Sequence, residues 1–311
     1  MKTSMQCLVG RYLDQRRKLG YGLRAAGKEL EQFGRFADQT APGRPITTAL
    51  ALQWATLPKS SERTYHAMRL IAVRSFARFC FGIDPRTEVP PFGLLGPNFT
   101  RRAPHLYSRD HVRLIMGRAR RLSAARSPLR PHMYETLVGL LFCTGMRLGE
   151  ALRLRLDDLE PTAGTLRVPA CKFSPERTLP LHPSAVRALE GYRRVRLRLH
   201  PLGELFFVDL RGRPLSTSYL KDTFRKITRG IAGNGARPRP RWPDFRHSFA
   251  SRLVAKWACQ AEPVAHHLLF LSRYLGHKSF RETWWYISPS PNALQAASSQ
   301  FHAYQLNSPD L

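Results

Sequence analysis

Apolar positions recur at helical spacing through the first 83 residues. Between about Met5 and Lys18, Leu8, Tyr12 and Leu13 oppose Arg11, Arg16, Arg17 and Lys18. Gly20 and Gly22 punctuate that helix, and a second follows with Leu30, Phe33 and Phe36. The clearest pattern runs from about Ser61 to Phe81. Met68, Ile71, Phe76 and Phe79 form its expected apolar stripe, with Arg63, Arg74 and Arg78 lying off it. From Asp84 to Pro104 the periodicity stops. Pro85, Pro90, Pro91, Pro97 and Pro104, with Gly93 and Gly96 between them, predict an extended interdomain linker, because proline restricts φ. The expected organisation is a helical domain over 1–83, a linker over 84–104 and a second domain over 105–311.

The second domain opens with a helix signal in YSRDHVRLIM, where Ser108 suits the N-cap and Asp110 the positive end of the helix dipole. An apolar helix from about Met133 closes at Gly145, followed at once by Arg147 and Glu150. Three short pieces, TLRVPACK, RTLPLH and LFFV, read as strands of a small sheet, with turns at Gly164 and at Ser174-Pro175. Helices resume around Ser216 to Ile231, and a basic, proline-rich loop then leads into DFRHSFASRLVAKW. The fold class is therefore mainly α with a small β-sheet, an α+β second domain behind an all-helical first one. No internal repeat is present.

Charge turns this architecture toward one kind of partner. Fifty Lys and Arg against 22 Asp and Glu give a formal charge of +28 and a pI near 11.1. A polyanion, double-stranded DNA above all, is the natural ligand of such a chain, and the basic side of the 61–81 helix is a candidate phosphate-contacting face. Five cysteines lie far apart with no CxxC or Cys/His spacing, which predicts reduced thiols in a cytosolic compartment and no zinc site. No apolar run has spanning length and the N-terminus meets charge too soon for a signal peptide, so a cytoplasmic protein without membrane contact is expected.

Candidate chemistry lies in four separated stretches. TGMRLGE carries Arg147 and Glu150, ACKFSPERTLPL carries Lys172 and Arg177, DFRHSFA carries Arg246 and His247, and LGHKSFRETWWY carries His277 and, nine positions on, Tyr286. A tyrosine hydroxyl is a potential nucleophile toward phosphorus, but with a free pKa of about 10 it needs cationic neighbours. In order and spacing the four stretches resemble the tyrosine recombinase (phage integrase) family, from the first apolar helix of the second domain almost to the C-terminus. LSRYLGH with TWWY and a nearby Pro289 further resembles the subgroup carried on bacterial transposable elements and genomic islands.

That resemblance implies a site-specific recombinase that cleaves and rejoins DNA, for integration or transposition of a mobile element at the bacterial nucleoid. It would act as a homo-tetramer on two DNA sites, with or without partner recombinases, and would need no metal or other cofactor. Arg147 and Arg246 would grip the scissile phosphate, a task suited to the guanidinium fork. Tyr286 would attack phosphorus to leave a 3′-phosphotyrosine, Lys172 would protonate the departing 5′ oxygen, and His277 would donate a hydrogen bond. Glu150 and His247 would support the site, and Arg63, Arg74, Arg78, Arg177 and Arg241 would serve DNA contacts or the strand. Trp284, Trp285 and Phe280 read as core or subunit-contact aromatics.

The sequence departs from the family pattern at Pro243, where a histidine is usual. A proline there removes a donor, at a cost on the order of 10²-fold in rate, for which His247 or Arg241 is the candidate compensation. Two other readings stay open, a catalytically weak accessory DNA-binding homologue and a type IB topoisomerase.

Overall fold

The computed structural model describes residues 4–59, 61–99, 103–125, 127–171, 174–209, 211–231, 239–259, 264–279 and 282–283. The chain divides into two compact units, 1–102 and 103–311.

In the first unit, α1 (Met5–Lys18), α2 (Arg24–Thr40), α3 (Thr48–Thr56) and α4 (Arg63–Phe81) form a bundle. Each of two helix starts is fixed by a side chain: Ser4 accepts from the Cys7 amide, and Thr47 accepts from the Leu50 amide. Asp38 of α2 takes the Met5 and Gln6 amides at 2.7 and 3.0 Å, so α1 is held by its neighbour. Tyr12, Phe33, Trp54 and Phe76 meet in the core, with Phe33 edge-on to Trp54 at 5.3 Å.

The stripe expected on α4 is corrected. Phe76 is buried, but Met68 is 42% exposed, and the buried line is Arg69, Leu70, Val73, Phe76, Ala77 and Cys80. Arg69 can occupy a core position because its guanidinium lies 3.8 Å from the Trp54 ring centroid and 3.6 Å from Glu29 Oε2.

The proline-rich stretch from 84, expected to be extended, includes turns at 85–86 and 92–95, and it is tied to this bundle. The Glu88 amide donates to Ile46 O, Glu88 Oε2 accepts from the Thr48 amide, and Val89 and Leu95 pack on the core. Arg74 Nε donates to Pro90 O at 2.9 Å and Arg63 Nε to Leu95 O at 3.3 Å. Two of the three α4 arginines expected to face DNA thus direct their Nε–H groups to this stretch, while Arg78 is exposed.

The second unit centres on α6 (Leu129–Thr144), whose Leu129, Met133, Tyr134, Leu137, Val138, Leu140 and Leu141 are all buried. A helix apolar on nearly every side must be enclosed, and α5 (Arg109–Arg120), α8 (Pro183–Leu199) and α10 (Pro243–Cys259) pack around it. The one-turn α7 (Leu148–Ala151), α9 (Thr217–Ile227) and α11 (Val264–Leu275) complete the α-helices among the described residues. A three-stranded antiparallel sheet runs in the order β1 (Leu159–Glu160), β2 (Thr165–Val168), β3 (Arg177–Pro180), with Leu166 opposite Leu179. The tight turn at Gly164, φ +64°, joins β1 to β2.

The LFFV strand is corrected as well. Phe206 and Phe207 are buried against Tyr192 and Val208 is buried beside them, but residues 205–208 belong to no strand ladder among the described residues: Arg155 with Leu205 and Val208 with Pro214 pair as isolated bridges. A short apolar run enclosed on all sides has the composition of a strand whether or not it has a ladder partner. No helix among the described residues is long and apolar enough to cross a membrane.

Candidate active site

The site begins where α6 stops. Gly145 takes the left-handed conformation at φ +63°, and its amide closes on Leu141 O. A Cβ there would come within 2.5 Å of Phe249 Cδ1 on α10, so glycine is required both by the turn and by the close approach. Gly145→Ala should lower stability by roughly 2–4 kcal/mol, read from urea unfolding. An unchanged midpoint would show that the α6–α10 contact yields easily.

Arg147 is the N-cap of α7, and Glu150, 2% exposed, reaches back to it: Oε2 accepts the Arg147 amide at 2.9 Å and Oε1 lies 3.1 Å from Nη1. From β3, Arg177 Nη2 donates to Glu150 Oε2 at 2.7 Å. Burial alone would raise the Glu150 pKa. The hydrogen bonds from Arg177 and the Arg147 amide, with the charges of Arg177 and Arg246, more than reverse this and hold it below the ordinary carboxylate range. Arg147 stays one-third exposed, its Nη2 3.7 Å from Glu282 Oε2.

Arg246 on α10 is buried and oriented by main-chain oxygens: Nη1 donates to Gly145 O and Nη2 to Leu275 O, at 3.2 and 2.6 Å. Its partners are thus the end of α6 and the end of α11, which places it between Arg147 and His277. Beyond α11, Gly276 turns the chain at φ +67°. His277 follows, its amide on Ser272 O and its Nδ1 2.7 Å from Thr283 Oγ1. Burial first, and then the charges of Arg246, Arg147 and Arg177, push the His277 pKa down to about 3 against an opposing pull from Glu150. The imidazole is therefore neutral near pH 7. When the Thr283 hydroxyl is the donor to Nδ1, the ring proton sits on Nε2.

A phage integrase family model matches residues 106–292, more than half of the chain. The putative integrase/recombinase y4rB of Sinorhizobium fredii is 36% identical over 305 residues, 96% of each chain. The chain belongs to the phage integrase family. A tyrosine recombinase XerD from Halalkalibacterium halodurans is 25% identical over 289 residues, 90% of this chain and 91% of that one. Among solved structures, the Tn1549 transposon integrase in complex with transposon right end DNA superposes with a TM-score of 0.69 at 16% identity, covering 97% of this chain and 99% of that one. The likeness lies in the fold, mostly helical with one small sheet.

In this integrase-family enzyme, a tyrosine recombinase, Arg147, Glu150, Arg246 and His277 come together from three separated stretches. Lys172 and Tyr286, with Trp284, Trp285 and Phe280, lie outside the described residues. Arg177, expected to serve the strand or DNA contacts, is turned inward. Its side chain is 9% exposed and donates to Tyr274 O, Ser174 Oγ and Glu150, so its guanidinium is used inside the site. Arg241 turns its Nε and Nη2 onto the fully buried Asp244, which also accepts the Arg241 amide. The Arg241 side chain, expected to contact DNA or stand in for the missing histidine, is thus paired with Asp244 while 40% exposed. His247 is half-buried on α10, one helical turn beyond Pro243.

Ser174 reads in the sequence only as a turn residue, Thr283 gives no signal, and Asp244 gives one only as an acidic residue in the first turn of a helix. Among the described residues no group of three His, Cys, Asp or Glu could hold a metal ion.

Proposed function

We propose that this recombinase cleaves and rejoins duplex DNA at a fixed site through a 3′-phosphotyrosine on Tyr286, as a tetramer on two sites, moving a mobile element. The observation that supports it is the meeting of Arg147, Arg246 and His277 around one buried carboxylate, Glu150. Three guanidinium groups here, Arg147, Arg177 and Arg246, face one fully buried carboxylate, and the excess positive charge suits a phosphodiester. Arg147 and Arg246 hold its non-bridging oxygens and meet the charge that grows in the transition state. His277, neutral, donates from Nε2; a bound phosphate offsets the surrounding cations and draws its pKa back up. The Tyr286 hydroxyl gives up its proton to solvent as its oxygen bonds to phosphorus, the bond to the 5′ oxygen breaks, and Lys172 supplies the proton that the 5′ oxygen takes up. The first unit, with the exposed Arg78, adds phosphate contacts that act through charge and fall away with salt.

Trapping tests this directly. Duplexes from DNA flanking the coding sequence, nicked so that the cleaved strand diffuses away, should leave the wild-type protein covalently attached to a 3′ end. Tight binding to such duplexes with no adduct, or attachment to a 5′ end, would end the proposal. Relaxation of plasmids that lack any such site would favour a topoisomerase.

Pro243 favours the second reading, an accessory protein of weak activity. It stands exposed as the first residue of α10, where proline suits the helix start because its missing N–H has no intrahelical partner. Pro243→His should raise the adduct-forming rate by on the order of 10²-fold if a donor is lacking. No gain in single-turnover trapping would mean that the site, with His247 nearby, is already complete.

A further inference from the structure

Lys172 lies outside the described residues, but the chain on either side of it does not. Cys171 and Ser174 exchange both backbone hydrogen bonds, at 2.8 and 3.1 Å, so the two ends of the segment carrying Lys172 are held together. What fixes this pair in the site is the Ser174 side chain, which is 1% exposed and 102 residues from its main partner. Its Oγ donates to Gly276 O at 3.0 Å and accepts from Arg177 Nη1 at 2.9 Å. Gly276 immediately precedes His277, and a Cβ at Gly276 would overlap Ser174 Oγ, so the hydroxyl is seated directly on the backbone of the His277 loop. Arg177 in turn spans Ser174, Glu150 and Tyr274 O. One buried hydroxyl therefore joins the hairpin that carries the proposed proton donor to the loop that carries the proposed phosphate donor.

We propose that Ser174 is a positioning residue for the leaving-group proton transfer, setting the Lys172 hairpin relative to the phosphate through its bond to Gly276. The inference rests on the assignment of Lys172 as general acid. In that step the Tyr286 hydroxyl releases its proton to solvent as the Tyr286 O–P bond forms, the P–O5′ bond breaks, and the proton on Lys172 Nζ passes to the 5′ oxygen. Small misplacements are costly in such a transfer, a shift of about 1 Å lowering a rate by as much as about 10²-fold. Ser174→Ala removes the bond without changing any side chain proposed to touch the phosphate.

The test compares ordinary DNA with DNA carrying sulfur as the bridging 5′ atom at the mapped cleavage position. A thiolate leaves without a proton, so a fault confined to proton donation disappears on this substrate. Ser174→Ala should cleave ordinary DNA about 10- to 100-fold more slowly than wild type and return to within about threefold on the sulfur substrate. Lys172→Ala should show the same rescue from a deeper defect. Each ratio is taken on one protein preparation, so any misfolded fraction cancels.

Rescue of Lys172→Ala without rescue of Ser174→Ala would overturn the role of Ser174 alone, as would a wild-type rate for Ser174→Ala on ordinary DNA. Absence of rescue for Lys172→Ala would remove the general-acid assignment and the inference together. A wild-type protein that cleaves neither substrate would do the same.

Discussion

Tyr286→Phe is expected to bind its DNA within about threefold of wild type, since no charge is lost, and to form no covalent adduct. Phenylalanine keeps the ring and removes only the attacking oxygen. Loss of a nucleophile typically costs on the order of 10⁴- to 10⁶-fold, beyond the reach of a trapping gel. Several other tyrosines of the same unit are poor substitutes. Tyr107 is buried with its hydroxyl donating to Arg241 O, and burial pushes its pKa far up. Burial likewise raises Tyr274 to about 12 and Tyr134 to about 12. An adduct that survived in Tyr286→Phe would assign the chemistry to another residue and end the reading of LGHKSFRETWWY as the nucleophile-bearing stretch.

The second large effect is on stability. Glu150→Ala leaves Arg177, 9% exposed, facing an empty site, and removing one partner of a buried ion pair costs about 3–5 kcal/mol. Against a typical domain stability of about 5–15 kcal/mol, the second unit would be brought close to unfolding near room temperature. The pH dependence has a definite sign. The Glu150 pKa is held below its unfolded value, so its stabilising contribution is present above about pH 4.5 and lost as pH falls through the folded value.

His277 deepens the same fall over a wider window. Its folded pKa is about 3 against an ordinary 6.5, so below about pH 6.5 the unfolded chain takes up a proton that the folded site refuses. Urea melts from pH 7 downward should therefore show wild type weakening throughout. Glu150→Gln, weaker at pH 7, should lose only the part of the slope below about pH 4.5. A Glu150→Ala protein within 1 kcal/mol of wild type would show that the arginines find water or other partners.

The sequence made legible what local chemistry decides. Glycine at the end of an apolar helix, serine ahead of an acidic turn and arginine beside a turn are signals within a few residues, and Gly145, Ser108 and Arg147 stand where those signals put them. Longer-range pairings were hidden. Nothing near Arg177 announces that its partner is Glu150, 27 residues earlier, and nothing near Ser174 points to Gly276. The expected α4 stripe runs through apolar residues alone, whereas Trp54 and Glu29 give Arg69 a place inside. LFFV reads as a strand, where burial rather than pairing explains its apolar run.

The Arg147–Glu282 contact bears on how DNA arrival would register in solution. On the proposed role of Arg147, an incoming phosphate meets a guanidinium already balanced by a carboxylate of the same chain. The exchange swaps a tethered anion for a nucleic-acid one and alters the small-ion atmosphere less than an unpaired cation would. The slope of log affinity against log salt, about 0.9 for each phosphate neutralised, would then undercount the basic side chains on the DNA by about one at this position. An ionic-strength titration alone would miss an arginine proposed to hold the scissile phosphate.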